Sequence, residues 1–261
     1  MLELIQKIVD FFFLLLPQKS ASKVQIDNTK IIAHRGYHEK NVIENTIPAF
    51  QWCEENNIWG IEFDIRFTMD NVPVIHHDSH CGRLFNRQDL SISETIFEDL
   101  RKEVPQIPAL SEVVSLFGSE IHFMLELKTE LTSEQNNILL KTLSSLRPNH
   151  NYHILSLEID IFKSIEFAKT NCFVPVAMLN VSNLLHYTLE YHCAALTGHY
   201  LLLNKSHIQK LHSHSIISGV GQIASKNSLM REIRRGHEWI FTDEVSKVKK
   251  WLFEISNDQN I

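Results

Sequence analysis

From residue 31 to residue 241 the chain alternates short apolar runs, rich in β-branched and aromatic residues, with segments of helical periodicity. This alternation confines it to the α/β class, because strands separated by helical crossovers pair in parallel and need helices to cover them. Strands are expected at 31–33, 61–65, 121–127, 152–157, 173–178, 200–203, 216–220 and 239–241. Helical patterns lie between them, at 47–53, 110–117, 135–146, 161–168 and 228–235. Eight such units in 261 residues fit one closed (β/α)8 barrel better than an open sheet. One more extended piece, 72–76, follows the second strand after the polar turn Thr68-Met69-Asp70-Asn71. That turn is too short for a crossover helix, so the piece is expected to fold back as an antiparallel hairpin.

Charge and composition exclude several functions. With 25 basic and 31 acidic side chains the net charge is −6, which lacks the basic footprint of a nucleic-acid binder. No run reaches the roughly 18–20 apolar residues that span a bilayer. Cys53, Cys81, Cys172 and Cys193 form no CxxC pair and suit reduced, buried thiols. Near the start, Leu2, Ile5, Ile8, Val9, Phe12, Phe13 and Leu16 recur at helical spacing. Asp10 interrupts what a secretory signal would need as an apolar core, so residues 1–16 read instead as an amphipathic helix. Such a helix either packs under the domain or makes a peripheral membrane contact. Residues 1–25 are thus expected to be helix and linker, residues 26–261 the barrel, and the protein cytoplasmic.

The chemistry gathers at the ends of the early strands. In Ile61-Glu62-Phe63-Asp64-Ile65 the two carboxylates share one face of a strand and the apolar residues the other. In a barrel the apolar face meets the helices and the acids face inward, where adjacent anions need protons, cations or a metal ion. Leu125-Glu126-Leu127-Lys128 places an acid and a base on one face in the same way. Three converging carboxylates make a hard-oxygen site suited to Mg2+ or Ca2+; structural salt bridges inside the barrel are the alternative. Ala33-His34-Arg35-Gly36 directly follows the first strand, and Val74-Ile75-His76-His77-Asp78 closes the hairpin. Two histidines, three acids, an arginine and a lysine are the parts expected for metal-assisted phosphodiester cleavage. His76, adjacent to His77 on extended chain, should face the other way and pack.

These residues carry a resemblance to the glycerophosphodiester phosphodiesterase family. The matching run is His34-Arg35-Gly36, Glu44-Asn45-Thr46 with Ala49-Phe50, Gly60-Ile61-Glu62-Phe63-Asp64, Thr68, Asp70, Pro73-Val74 and His77-Asp78. It continues through Ile107-Pro108-Ala109-Leu110, Glu112-Val113 and Glu126-Leu127-Lys128, with weaker echoes in Leu155-Ser156-Leu157 and Ile240-Phe241-Thr242-Asp243. The resemblance implies a modified TIM barrel whose insertion covers about residues 66–106. It also implies that Glu62, Asp64 and Glu126 hold a divalent cation, that His34 and His77 act as general base and general acid, preferred in that order with the reverse left open, and that Arg35 and Lys128 clamp the phosphate. Asn45 and Asp78 stand beside that set as supporting residues. The implied reaction releases glycerol 3-phosphate and an alcohol from a glycerophosphodiester, through attack by the glycerol 2-hydroxyl and a cyclic phosphate that water opens. Two alternatives stay open: a lysophospholipase D-type enzyme on single-chain lipids, and a silent barrel that only binds phosphorylated head groups.

Departures from the family pattern fall outside the metal and histidine set. Ile43 replaces a proline, Asn71 a turn glycine and Glu244 a proline, while Ser218-Gly219-Val220-Gly221-Gln222-Ile223 lacks the tryptophan usual after the seventh strand. Losing that aromatic should reshape the pocket for the alcohol. Asn45 or Thr46 is also expected to cap the helix that follows. His186, His192, His199, His207, His212 and His214 have spacings that match no common ligand pattern.

Overall fold

The computed structural model describes residues 11–12 and 19–257, so the expected helix at 1–16 lies outside the described residues except for Phe11 and Phe12. Among the described residues eleven strands follow in chain order: β1 Lys30–His34, β2 Gly60–Phe67, β3 Pro73–Ile75, β4 His80–Cys81, β5 Arg87–Ser91, β6 His122–Leu127, β7 Tyr152–Ser156, β8 Phe173–Ala177, β9 Ala195–Gly198, β10 Ile217–Val220 and β11 Trp239–Thr242. Eight of them, in the order β1-β11-β10-β9-β8-β7-β6-β2, close into a parallel barrel through the β1–β2 pairing. This is the expected (β/α)8 barrel. β3 pairs antiparallel with β2 as a hairpin excursion, and β4 and β5 form a separate small sheet.

Alternation along each strand separates two cores. Ile61, Phe63 and Ile65 of β2 and Phe123 and Leu125 of β6 point outward into the layer under the helices. Ile32, Met124, Leu155, Val174, Ala195 and Trp239 point inward and fill the floor of the barrel. The inward column of β6 therefore runs His122, Met124, Glu126 from floor to mouth, and that of β1 runs Ile32, His34. The floor buries two histidines: His122 and His153 hydrogen-bond to each other at 2.8 Å, with Trp59 stacked on His122. Desolvation holds both imidazoles well below their usual range, to about 4 and about 3.

The hairpin turn uses the polar residues expected of it. Asn71 N–H donates to Thr68 O at 3.0 Å, and Asn71 adopts φ 60°, a left-handed geometry that asparagine tolerates. Val74, Cys81, Leu90, Ile92, Leu100, Val104 and Ile107 then give the insertion a small core of its own. The four cysteines are buried and unpaired, as expected.

Two expected elements shift. The sixth barrel strand is β9, not 200–203. Its small residues allow close backbone approach: a Cβ on Gly198 would sit 2.6 Å from Ala177 O. Tyr200 and Leu203 are instead buried in the loop after β9, where Arg235 donates to the carbonyls of both. The helix expected at 161–168 spans only Ile159–Lys163. The Asn136 side chain bonds Ser164 O at 2.9 Å and Glu166 N at 2.7 Å, and these tertiary bonds replace the next helical turn.

Candidate active site

Strand register builds the acidic centre. β1 and β2 align His34 with Glu62, and β2 and β6 align Asp64 with Glu126. All three carboxylates are buried, and one oxygen from each lies within 4.8 Å of the others. Oxygens at that spacing suit one cation that binds them at about 2.1–2.5 Å. Lys128 offsets part of the charge, since its Nζ is 2.7 Å from Asp64 Oδ1 and also bonds Glu126 Oε1. Glu62 Oε2 accepts the Arg35 backbone N–H at 3.1 Å, while Glu62 Oε1 is buried and accepts no hydrogen bond from any described residue. An orphaned carboxylate oxygen beside two further acids fits a hard divalent cation, because a buried anionic oxygen without a donor is costly to leave unpaired.

The backbone after β1 turns sharply to bring this about. Arg35 and Gly36 have φ 57° and 77°. A Cβ on Gly36 would stand 2.8 Å from the Phe50 ring and 3.0 Å from Ala49 Cβ, so only glycine fits. The turn aims Arg35 Nε at Asp64 Oδ2, 3.3 Å away, and Arg35 NH1 at Glu44 Oε1, 2.9 Å away. Asn45, at φ 58°, accepts the same geometry, donates its backbone N–H to Arg35 O at 2.9 Å and its side-chain Nδ2 to Asp64 Oδ2 at 2.7 Å. The expected cap is thus corrected. Thr46 stands at the N-cap position of Ile47–Glu55 without a side-chain cap, its hydroxyl donating to Ile43 O. Asn45 serves the carboxylate instead.

Each histidine at the mouth is held by a carboxylate. His34 Nδ1 is 2.6 Å from Asp243 Oδ1, which leaves Nε2 towards Glu62 Oε2 at 3.7 Å. His77 Nδ1 is 2.8 Å from Asp78 Oδ1. His76 turns away as expected, buried with Nε2 3.2 Å from His80 O.

The electrostatics follow from this packing. Burial alone would lower the His34 pKa, but Glu62 and the Asp243 bond outweigh it and lift it to about 9. Burial and the charge of Asp64 push the Glu62 carboxyl up to about 8. Asp64 goes the other way, because Lys128 and Arg35 outweigh its desolvation. Asp78 is held down at about 2: burial opposes the shift, but the bonds from His77 and Arg83 prevail. One sphere of acids therefore contains both a carboxyl that favours its proton and a carboxylate that refuses one.

The mouth is a cavity of about 450 Å3. His34, Arg35, Glu62, His77, Glu126, Lys128 and Asp243 form its charged wall; Leu155, Leu157, Val176, Ala177, Met178 and Phe241 form an apolar one. Gly221 and Gln222 line it where the usual tryptophan is missing. Three contributors were not singled out from sequence: Asp243, Glu44 and Arg83. Asp243 and Glu44 sit inside matching runs but reveal no partner there. Among the described residues, Glu62, Asp64 and Glu126 form the only cluster with metal-ligand spacing, so the scattered later histidines make none.

Comparison with known proteins identifies the family and the fold. The model of the glycerophosphoryl diester phosphodiesterase family matches residues 34–247. The Mus musculus protein named glycerophosphodiester phosphodiesterase 1 is 32% identical over 121 residues, 40% of this chain and 36% of that one. The match therefore spans little more than a third of that relative's length. The crystal structure of a glycerophosphodiester phosphodiesterase from Thermotoga maritima superposes with a TM-score of 0.73 at 23% identity, covering 85% of this chain and 97% of that one. An Oleispira antarctica phosphodiesterase, solved with the product sn-glycerol-3-phosphate, gives a TM-score of 0.73 at 20% identity and covers 86% and 96%. At these identities the two structures share the fold.

Proposed function

Because the chain belongs to the glycerophosphoryl diester phosphodiesterase family, we propose that it hydrolyses glycerophosphodiesters to glycerol 3-phosphate and an alcohol. The observation that carries this is a single cavity lined by His34, His77, Arg35, Lys128 and by Glu62 and Glu126, two acids of the three-carboxylate cluster that Asp64 completes beneath it. The product bound by the Oleispira antarctica neighbour supports the same chemistry. Glu62, Asp64 and Glu126 would hold Mg2+ or Ca2+, whose charge offsets that of the non-bridging phosphate oxygens. Arg35 and Lys128 orient the phosphate, both already poised on Asp64. With a cation offsetting the Glu62 charge that lifts its pKa, His34 would be unprotonated at Nε2 and take the proton of the glycerol 2-hydroxyl as that oxygen bonds to phosphorus, while His77 would give a proton to the departing alkoxide. Water then opens the cyclic phosphate, with the two imidazoles exchanging roles. In each imidazole the carboxylate on Nδ1 fixes the ring and leaves Nε2 for substrate. The unit that carries the reaction is residues 26–261, in the cytoplasm, with residues 1–16 as a peripheral membrane contact.

A second reading concerns the substrate. The apolar wall, with Leu179 88% exposed beside Met178 at its rim, suits a substrate whose glycerol carries a single acyl chain, retained on the phosphate side when the alcohol leaves. One experiment addresses both: glycerol 3-phosphate release from glycerophosphocholine, and choline release from lysophosphatidylcholine, each with Mg2+, Ca2+ and chelator. Cation-dependent glycerol 3-phosphate release is expected. Activity that persists undiminished in chelator would remove the metal role, and turnover of neither lipid would remove the function.

A further inference from the structure

The insertion supplies a residue, marked by no motif, that binds two carboxylates supporting the site. Arg83 lies in the short helix Gly82–Phe85, and its side chain bridges Asp78 and Glu44. Its Nε donates to Asp78 Oδ2 at 2.7 Å, its NH2 to Glu44 Oε1 at 2.7 Å and its NH1 to Glu44 Oε2 at 3.2 Å. The other Asp78 oxygen, Oδ1, holds His77 Nδ1, and Glu44 Oε1 also holds Arg35 NH1. One guanidinium thus completes a continuous chain, His77–Asp78–Arg83–Glu44–Arg35. The Arg83 side chain is 44% exposed, so it fills no core and its role lies in these bonds.

We infer that Arg83 is a positioning residue that fixes the imidazole of His77 and the guanidinium of Arg35 relative to one another, and so ties the insertion to catalysis; this rests on the function proposed above. The physical reason is the planar fork. Donors on separate edges of a guanidinium hold two carboxylates in set directions, which the point charge of a lysine cannot do. Without it, Asp78 is free to leave Nδ1, and the imidazole loses the bond that sets its orientation. Glu44 similarly loses the partner that keeps it facing Arg35.

The test uses the full chain and two diesters of glycerol 3-phosphate, one with choline and one with p-nitrophenol. The choline alkoxide needs a proton to depart; p-nitrophenolate does not. Arg83→Met is expected to lower kcat on the choline diester about 10- to 100-fold and to lower it far less on the p-nitrophenyl diester. KM should rise for both as Arg35 loosens, and Arg83→Lys should recover only part of the loss. Asp78→Asn, which removes the charge between Arg83 and His77, should reproduce the dependence on the leaving group. Thermal midpoints close to the parent's are expected in each case. Unchanged rates, or equal losses on the two diesters from both variants, would overturn the inference while leaving the hydrolase reading intact. If the unmodified protein turns over neither diester, the hydrolase reading fails and this inference falls with it.

Discussion

Replacing Glu62 by glutamine should make the protein more stable without divalent cation and nearly indifferent to its addition. Glu62 is 1% exposed, lies beside Asp64 and Glu126, and favours its proton up to about pH 8. At about 1.4 kcal/mol for each pH unit above its ordinary value of 4.5, burying this group at pH 7 costs about 3 kcal/mol. Glutamine keeps an oxygen for the Arg35 N–H and a similar shape, and carries no charge. It gives up the attraction to His34, so a net gain of about 1–3 kcal/mol in chelator is expected, or roughly 2–10 °C in Tm for a chain of this size. With a cation at 100 times its Kd the parent should gain about 2.7 kcal/mol, and Glu62→Gln a small part of that, so the variant's advantage shrinks to near zero and reverses at higher cation concentration. The pH dependence has a definite sign. A carboxyl whose folded pKa is raised contributes stability that is complete below about 4.5 and lost as pH rises to about 8. The advantage of the variant therefore widens across that window. Thermal unfolding of both proteins, with and without cation, at pH 5, 6, 7 and 8 measures all of this. A Glu62→Gln protein that is less stable than the parent in chelator, or that gains as much from cation, would refute the reasoning.

Asp243→Asn should lower kcat about 10- to 100-fold with little loss of stability, since the Asp243 side chain is 43% exposed and its role is the 2.6 Å bond to His34. His34 is raised to about 9, so in chelator the parent should lose stability as pH climbs from 6.5 to 9, and Asp243→Asn should lose less; urea titrations at several pH values decide this. Gly36→Ala meets both a φ of 77° and the Phe50 ring, and should cost about 1–3 kcal/mol in denaturant unfolding while raising KM through the displaced Arg35. Phe63→Ala, which empties a fully buried site on the helix-facing side of β2, should cost about 3–5 kcal/mol by the same measurement and leave the metal response of the remaining folded protein intact.

The barrel and the acidic centre were legible for a shared reason. Period-two alternation is a local property, so Ile61-Glu62-Phe63-Asp64-Ile65 declares from neighbours alone which side chains meet helices and which meet the lumen. The same locality explains the misplaced sixth strand. Ala195, Leu196, Thr197 and Gly198 carry little bulk, and the stronger apolar signal of Tyr200, Leu201, Leu202 and Leu203 belongs to a loop whose burial comes from packing. It also explains Asn45, where a local capping role lost to a bond with Asp64, 19 residues away.

What lay beyond sequence was pairing. Residue types and strand alternation determined an α/β barrel with three acids, two imidazoles and two cations directed at its mouth. Closure of β11 onto β1 decided that Asp243 meets His34 across 209 residues, and the folded insertion decided that Arg83 meets Glu44 across 39. Such partners are chosen by where the backbone carries them, and a carboxylate or guanidinium has no local periodicity that names its counterpart.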